Sequence, residues 1–113
     1  MFVTKLEDAA GIPGPYKGIT HHYLADSKNG FNNFEIIYST TEKGSVGKSH
    51  SHPDSEHMQL VLEGSLRIVA PDGKTYDVPS GSAVFIQPGE EHEVVNTHDG
   101  TTRYLVVYAP PHN

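Results

Sequence analysis

Residues 44–64 decide the fold, and they read GSVGKSHSHPDSEHMQLVLEG. A strand pattern over 46–52 carries His50 and His52, residues 53–55 have the composition of a turn, and a second strand begins at His57. Side chains two positions apart on a strand point to the same face, with their Cα atoms roughly 6–7 Å apart. The spacing therefore predicts that His50 and His52 can bind one metal ion together.

The second strand of this stretch alternates, which predicts one buried and one outward face. The two faces are His57, Gln59 and Val61 on one side, and Met58, Leu60 and Leu62 on the other. If the His57 face points inward, its imidazole projects toward the histidine pair of the neighbouring strand. Three ligands would then converge from two strands.

The rest of the chain indicates an all-β protein with little or no helix, since 11 Gly and 8 Pro interrupt short runs of β-branched and aromatic residues. The predicted strands are 34–40, 46–52, 57–62, 66–70, 74–78, 83–87, 92–96 and 102–108. We expect a single domain over 1–113, with a β-barrel over 34–108. Residues 1–33 read as an irregular arm, which either covers a sheet edge, reaches a partner subunit or packs loosely.

Composition narrows the possible functions. The chain has no Cys, so a metal would have to be bound by His, Asp, Glu or carbonyl oxygens. Acidic residues outnumber basic ones by 14 to 8, and the basic residues are scattered, so nucleic acid is not an expected partner. The first residues resemble no signal peptide and no apolar run is long enough to span a membrane, so we expect a cytoplasmic protein with no membrane partner.

Two motifs make the chain similar to the cupin superfamily. They are Gly44-x5-His50-x-His52-x4-His57-x6-Gly64 and Gly81-x7-Gly89-x2-His92-x3-Asn96. The resemblance implies a double-stranded β-helix, the cupin jelly-roll barrel. It also implies one divalent metal ion, with His50, His52 and His92 at positions that match family ligands.

The chain departs from the family pattern at two positions. His57 stands where cupins usually have a glutamate ligand, which predicts a four-histidine site. Glu56 is the alternative, although a slip of one residue would turn its side chain to the opposite face of the strand. Gln87 replaces the usual proline two residues before Gly89, and this change is expected to alter loop rigidity rather than metal binding.

Four neutral imidazoles would leave the +2 charge of the ion uncompensated, so the site is expected to favour an anionic small-molecule substrate or ligand. Zn, Fe, Ni and Mn all remain possible, because the ligand set does not select among them. Gln59 is the candidate catalytic residue, because it shares the face of His57 and could hydrogen-bond a substrate oxygen.

Residues other than the predicted ligands and Gln59 are expected to have structural or surface positions, or are assigned no role. Asn96 matches the second motif and is expected to order the strand end, and the flanking Glu90 and Glu91 are expected to face solvent. No role is assigned to Tyr38, Phe85, Arg103, Tyr104 and Tyr108. Ligand roles are not expected for the histidines outside the motifs, His21, His22, His98 and His112.

Three functions are compatible with this resemblance. The first is a non-redox isomerase, lyase or cyclase acting on a carboxylate or sugar acid. The second is an Fe(II)-dependent dioxygenase, and the third is a non-catalytic binding protein. The resemblance also implies a homodimer, for which the face formed by Met58, Leu60 and Leu62 is suited.

Overall fold

The computed structural model describes residues 1–111 and consists almost entirely of β-strands. The strands are β1 (Gly11–Pro13), β2 (Ile19–Ala25), β3 (Glu35–Thr41), β4 (Val46–His50), β5 (Glu56–Glu63), β6 (Ser65–Val69), β7 (Thr75–Pro79), β8 (Ala83–Ile86), β9 (His92–Asn96) and β10 (Thr102–Ala109). One 3-10 turn, Ser27–Asn29, is the only helical segment of the described range. None of the helical structure in residues 1–111 could cross a membrane.

The strands form two antiparallel sheets that face each other. The larger sheet has six strands in the order β1-β2-β3-β10-β5-β8, and the smaller has four in the order β4-β9-β6-β7. From β4 onward the chain crosses repeatedly between the two sheets, and β6 and β7 form a hairpin within the smaller one. This arrangement is that of a double-stranded β-helix, so the predicted fold class is confirmed.

Alternating side chains fill the space between the sheets, as the sequence predicts for β5. Val61 is fully buried there, while His57 and Gln59 on the same face are 3% and 4% exposed. The hydrophobic core consists of Ile37, Val61, Leu66, Ile68, Val78, Tyr104, Val106 and Tyr108. The inner face of β5 therefore passes from apolar core at Val61 to polar side chains at His57.

The tight connections of the barrel form where glycine permits them. Gly64 joins β5 to β6 with a φ of 97°, and a Cβ atom there would collide with Thr102 Oγ1. The β6–β7 hairpin turns at Gly73, whose amide donates to Ala70 O at 2.9 Å. Both glycines have a positive φ, which residues with a Cβ atom rarely adopt.

The prediction of an irregular arm over residues 1–33 was wrong for its central part. β1 and β2 form a hairpin, and β2 pairs with β3 in a register that includes Thr20↔Thr40 and His21↔Ser39. The hairpin extends the larger sheet and covers the edge of β3, which satisfies backbone groups that the edge would otherwise expose. The expectation for His112 lies outside the described residues.

Candidate metal centre and its cavity

Three histidines from the two motifs come together at one end of the smaller sheet. His50 ends β4, His92 begins β9, and the two are directly paired across the strands. With His52 they offer one ligand nitrogen each, and these three nitrogens lie within 4.8 Å of one another. The structure thus brings together three of the four predicted ligands.

His52 lies beyond the strand on which it was predicted, because β4 ends at His50. The pairing of β4 with β9 is also irregular between Gly47 and His50. The His50 and His52 rings nevertheless lie edge to face, with 5.0 Å between their centroids. The pair is therefore held by a strand end and the following turn rather than by simple strand alternation.

Backbone carbonyl groups orient two of these imidazoles. His50 Nδ1 donates to Lys48 O at 2.6 Å, and His92 Nδ1 donates to Glu90 O at 3.0 Å. A carbonyl oxygen only accepts hydrogen bonds, so each ring carries its proton on Nδ1 and has its lone pair on Nε2. This is the tautomer in which metal-binding histidines are usually held.

The Nε2 atom of His92 indicates that the cluster fits a metal ion. The His92 side chain is 2% exposed, and its Nε2 has no hydrogen-bond partner among the described residues. A buried acceptor without a partner is costly, and a bound cation would remove that cost. Imidazole nitrogens are common ligands of divalent metal ions, so the donor set of the cluster fits such an ion.

The electrostatics of the cluster also favour neutral ligands. Burial lowers the pKa of His92 by penalising the charged imidazolium, and the nearby His50 acts in the same direction. The hydrogen bond to the Glu90 carbonyl opposes this shift with a smaller effect. His92 therefore keeps its lone pair available at pH values where an exposed histidine would already be protonated.

His57 lies beside the three-histidine cluster and is held by Gln59. Its ring centroid is 5.2 Å from that of His52 and 5.3 Å from that of His92. The Gln59 amide nitrogen lies 3.1 Å from His57 Nε2, so the amide donates and the imidazole accepts. A metal bound through His57 Nε2 would have to replace this hydrogen bond, and the role of His57 as a fourth ligand stays a prediction.

The alternative ligand Glu56 lies on the other face of β5. Its side chain is exposed, whereas that of His57 is buried. The alternation that the sequence predicts for this strand thus separates the two candidates, and only His57 shares the interior with the cluster.

A cavity of about 470 Å³ opens beside the cluster and is lined by His50, His52 and Gln59. Tyrosines form much of its wall, and they are Tyr16, Tyr23, Tyr104 and Tyr108. None of the described residues that line this cavity is Asp, Glu, Lys or Arg. A mainly apolar, aromatic cavity with a few polar groups at one end is typical of small-molecule sites.

Tyr104 and Tyr108 are inward-facing residues of β10 to which sequence analysis assigns no role. The Tyr108 hydroxyl lies 3.4 Å from His52 Nε2, and its ring stacks on His57 with 4.5 Å between centroids. Burial raises the pKa of Tyr108 above its usual value, and it raises the pKa of Tyr104 to about 12. Both phenols therefore remain protonated at neutral pH.

The hairpin of β1 and β2 contributes cavity residues that the motifs do not identify. His21 lines the cavity from β2, and its Nδ1 lies 2.7 Å from Ser39 Oγ. The relevant sequence signal is the alternation of Ile19, His21 and Tyr23, which resembles the pattern of the other strands. His21 is not part of the three-histidine cluster.

The remaining candidates lie away from the cavity. Glu90 and Glu91 are exposed as expected, and their carboxylates accept from Gln87 N and Ser49 Oγ. Phe85 is 75% exposed. The other candidates outside the lining are Tyr38, Arg103, His22 and His98.

Asn96 orders the opposite end of β9, as the sequence predicts. Its amide nitrogen lies within 3.1 Å of the backbone oxygens of Thr41, Glu42 and Gly100. Its Oδ1 accepts from His98 N at 3.0 Å and from Thr102 Oγ1 at 2.8 Å. Asn96 thereby ties together the β3–β4 connection and the β9–β10 connection.

Comparison with protein families gives one match, and comparison with curated proteins gives none. Residues 37–108 match the family model described as Cupin domain. No curated protein matches the chain.

Several solved structures share the fold. The polyketide cyclase RemF from Streptomyces resistomycificus is 34% identical and superposes with a TM-score of 0.86 over 96% of this chain and 79% of its own. Ectoine synthase from P. lautus is 21% identical, with a TM-score of 0.81 over 98% of this chain and 79% of its own. A predicted oxalate decarboxylase from Thermotoga maritima is 19% identical, with a TM-score of 0.85 over 96% and 99% of the two chains.

Proposed function

This chain belongs to the cupin superfamily, and on that premise we propose that it is a metal-dependent enzyme without redox chemistry. Its reaction would be a cyclisation, isomerisation or lyase reaction of a small molecule that carries a carbonyl or carboxylate group. The observation that carries the proposal is the cluster of His50, His52 and His92 at the end of a neutral, largely aromatic cavity. The 34% identity to a polyketide cyclase supports the same class of reaction.

The proposed resident group is one divalent metal ion bound by the Nε2 atoms of His50 and His92 and by a ring nitrogen of His52. When bound, such an ion acts as a Lewis acid on a carbonyl or carboxylate oxygen. His57 is the proposed fourth ligand, which requires that it release its hydrogen bond to Gln59. Zn, Fe and Ni suit this set of imidazoles, whereas Mn, the fourth candidate, more often binds oxygen ligands.

The protein groups around the cluster determine how a substrate would be oriented. Gln59 is 4% exposed, lines the cavity, and has an Oε1 with no hydrogen-bond partner among the described residues. That oxygen can accept a hydrogen bond from a substrate hydroxyl or enol group. Because Tyr104 and Tyr108 stay protonated, their hydroxyls can donate to a substrate oxygen. These three side chains are the proposed substrate-orienting groups.

The lining also bears on the kind of anion that the site would accept. No Lys or Arg among the described lining residues is available to pair with a second negative charge. We therefore propose a substrate with a single anionic or enolisable oxygen, which would bind at the histidine cluster, and an uncharged body, which would contact the tyrosines.

Proton exchange into a simple ketone tests this proposal without knowledge of the natural substrate. The protein is purified without chelator, its metal content is measured by elemental analysis, and loss of the α-proton signal of 1-tetralone is followed by NMR in deuterated buffer. We expect about one equivalent of metal, faster exchange with zinc-loaded protein than with EDTA-treated protein, and no oxygen uptake.

Two results would count against the proposal. Failure to retain any metal after reconstitution would leave a non-catalytic binding protein. Oxygen consumption that depends on added Fe(II), without exchange by the zinc form, would favour the dioxygenase. The variant His92→Leu is the matched control, since it removes one proposed ligand from a position where leucine fits a buried environment.

We also propose a homodimer that buries the outer face of the larger sheet. Met58 pairs across the strands with Phe85, which is 75% exposed, and Leu62 on the same face is 39% exposed. Exposed apolar side chains grouped on one sheet face are typical of protein interfaces. Light scattering is expected to give twice the chain mass for the parent and the chain mass for Phe85→Lys, and a monomeric parent at micromolar concentration would refute the dimer.

A further inference from the structure

The N-terminal hairpin forms one side of the cavity, although it lies outside the part of the chain that matches the family model. The match begins at residue 37, whereas Pro15, Tyr16, Ile19, His21 and Tyr23 all line the cavity. We infer that this hairpin determines substrate specificity, and that Tyr16 selects a flat, hydroxylated ring by packing against it. The inference rests on the proposed function, in which one end of the ligand binds at the histidine cluster.

Tyr16 stands at the boundary between the cavity and the candidate metal centre. Its ring centroid lies 6.1 Å from that of His50, and the two ring planes are tilted by 36°. A ligand bound at His50 would therefore meet the Tyr16 ring on this side of the cavity.

The loop that carries Tyr16 is held in place by the strand that follows it. The amide of Gly14 donates to Ile19 O at 2.7 Å, and the amide of Ile19 donates to Tyr16 O at 3.3 Å. A Cβ atom at Gly14 would lie 2.9 Å from Ile19 Cγ2, so the loop approaches β2 as closely as glycine allows. Tyr16 is thus presented from a defined turn, as a specificity residue requires.

Gly47 on β4 lies next to the Tyr16 ring. A Cβ atom at Gly47 would lie 3.7 Å from Tyr16 Cδ2 and 3.7 Å from Val94 Cβ. These are ordinary van der Waals distances, and both Gly47 and Tyr16 line the cavity. A flat ring bound in this part of the cavity can pack its face against the Tyr16 ring.

The chemistry of the remaining wall agrees with a ring that carries hydroxyl groups. Tyr23, Tyr104 and Tyr108 offer further aromatic surface, and aromatic rings attract each other in offset or edge-to-face arrangements. Gln59 Oε1 offers a buried acceptor without a partner. Together with the absence of Lys and Arg from the described lining, these groups favour a neutral ring with donor hydroxyls over a polyanion.

Fluorescence titration with 4-methylumbelliferone, a flat ring system with one hydroxyl, tests the role of Tyr16. The parent, Tyr16→Ala, Tyr16→Leu and Tyr16→Phe are compared, each in zinc-loaded and in EDTA-treated form. Loss of an aromatic contact worth about 1 kcal/mol corresponds to roughly a fivefold weaker Kd, which we expect for the alanine and leucine variants in both forms. The phenylalanine variant is expected to bind within about twofold of the parent.

Tyr76→Ala is the matched control, because Tyr76 is a half-exposed tyrosine on β7 and does not line this cavity. Its Kd is expected to equal that of the parent. The inference is overturned if Tyr16→Ala and Tyr16→Leu both bind like the parent, if Tyr76→Ala weakens binding equally, or if the parent binds the probe in neither form. Thermal melting shows whether each variant folds. If Tyr16→Ala does not fold, the comparison is made with Tyr16→Leu.

Comparison of the zinc-loaded and EDTA-treated titrations distinguishes failure of this inference from failure of the proposed function. If zinc leaves the parent Kd unchanged but Tyr16→Ala still weakens binding, the hairpin determines specificity and the metal does not contact the ligand. If zinc tightens binding and Tyr16→Ala has no effect, the ligand binds at the metal site and Tyr16 does not contribute to its binding.

Discussion

The two ends of β9 carry inward-facing polar side chains with opposite hydrogen-bonding states. Asn96 at one end has partners for both its amide nitrogen and its amide oxygen. His92 at the other end is just as deeply buried, yet its Nε2 has no hydrogen-bond partner among the described residues. The strand thus holds one side chain whose polar atoms are all paired and one with an unpaired ring nitrogen, four residues apart on the same face.

The difference in hydrogen bonding indicates a structural role for Asn96 and a functional role for His92. Buried polar groups in folded proteins are nearly always paired, because an unpaired group has lost its hydration without compensation. A saturated asparagine stabilises the fold by itself. An unsaturated histidine beside two further imidazoles gains its partner only when something binds, which is what a metal centre requires.

The largest loss of stability is expected from Asn96→Leu. The substitution leaves the carbonyls of Thr41, Glu42 and Gly100 and the hydroxyl of Thr102 without the partners that Asn96 supplies. We expect the free energy of unfolding to fall by about 3 kcal/mol or more, measured by urea denaturation.

His98→Ala is the control for that substitution, because only the backbone amide of His98 bonds to Asn96 and alanine retains it. A change below about 1 kcal/mol is expected for this variant. If Asn96→Leu were equally mild, water would be replacing the lost hydrogen bonds, and the contrast between the two ends would disappear.

The second-largest effect on stability is expected from His92→Leu, and it should differ between metal-free and zinc-loaded protein. In EDTA the free energy of unfolding of the variant should lie within about 1 kcal/mol of the parent value, since leucine removes the buried Nε2 that lacks a partner and also loses the hydrogen bond from Nδ1 to Glu90 O. With zinc at about 100 times its Kd, the parent should gain about 2.7 kcal/mol of stability, and the variant should gain little of it.

Calorimetry in EDTA and in zinc measures both parts of this prediction. His98→Leu is the control, because His98 is exposed and outside the cluster. An equal zinc-induced stabilisation of parent and His92→Leu would show that His92 does not bind the ion.

The parts that sequence predicted are those governed by simple alternation. β5 follows the period of two, so the burial of His57, Gln59 and Val61 could be assigned before the structure was known. The proximity of His50 and His92 depends on which strands are neighbours, and it was expected only because the resemblance to cupins implies that both bind one metal ion.

The parts that sequence missed depend on irregular backbone and on contacts across the fold. The irregular pairing near Gly47 places His52 beyond its strand, and a period of two cannot reveal this. The hydrogen bond between Gln59 and His57 follows from rotamers rather than spacing. Tyr16 and His21 were overlooked because prolines and glycines obscure a hairpin whose strands are stabilised by pairing with β3.

A third, smaller effect, on zinc affinity, is expected from changes to His57 and to its hydrogen-bond partner Gln59. If His57 is a fourth ligand, His57→Ala should weaken zinc binding by about tenfold or more. Gln59→Leu should leave zinc binding unchanged or strengthen it, because the hydrogen bond that engages His57 Nε2 is gone. Glu56→Ala is the control, since that side chain is exposed on the other face.

Competition titration with a chromophoric chelator measures these affinities. A His57→Ala variant with parental affinity would leave a three-histidine site and make His57 a neighbour that Gln59 holds in place. A loss in Glu56→Ala would instead support the alternative ligand.

The smallest effect is a pH dependence that should distinguish the same two ends of β9. Burial lowers the pKa of His92 in the folded protein, whereas an unfolded histidine titrates near about 6.5. Below that pH the unfolded chain binds more protons than the folded one, so the stability of the metal-free parent should fall as the pH falls from about 6.5 toward the lowered pKa. His92→Leu removes this contribution and should show a shallower decline between about pH 6.5 and 5, while His98→Leu, which alters an exposed histidine near Asn96, should follow the parent. Melting temperatures measured in EDTA across this range provide the comparison, and parallel curves for parent and His92→Leu would mean that the buried imidazole accepts a proton as readily as an exposed one.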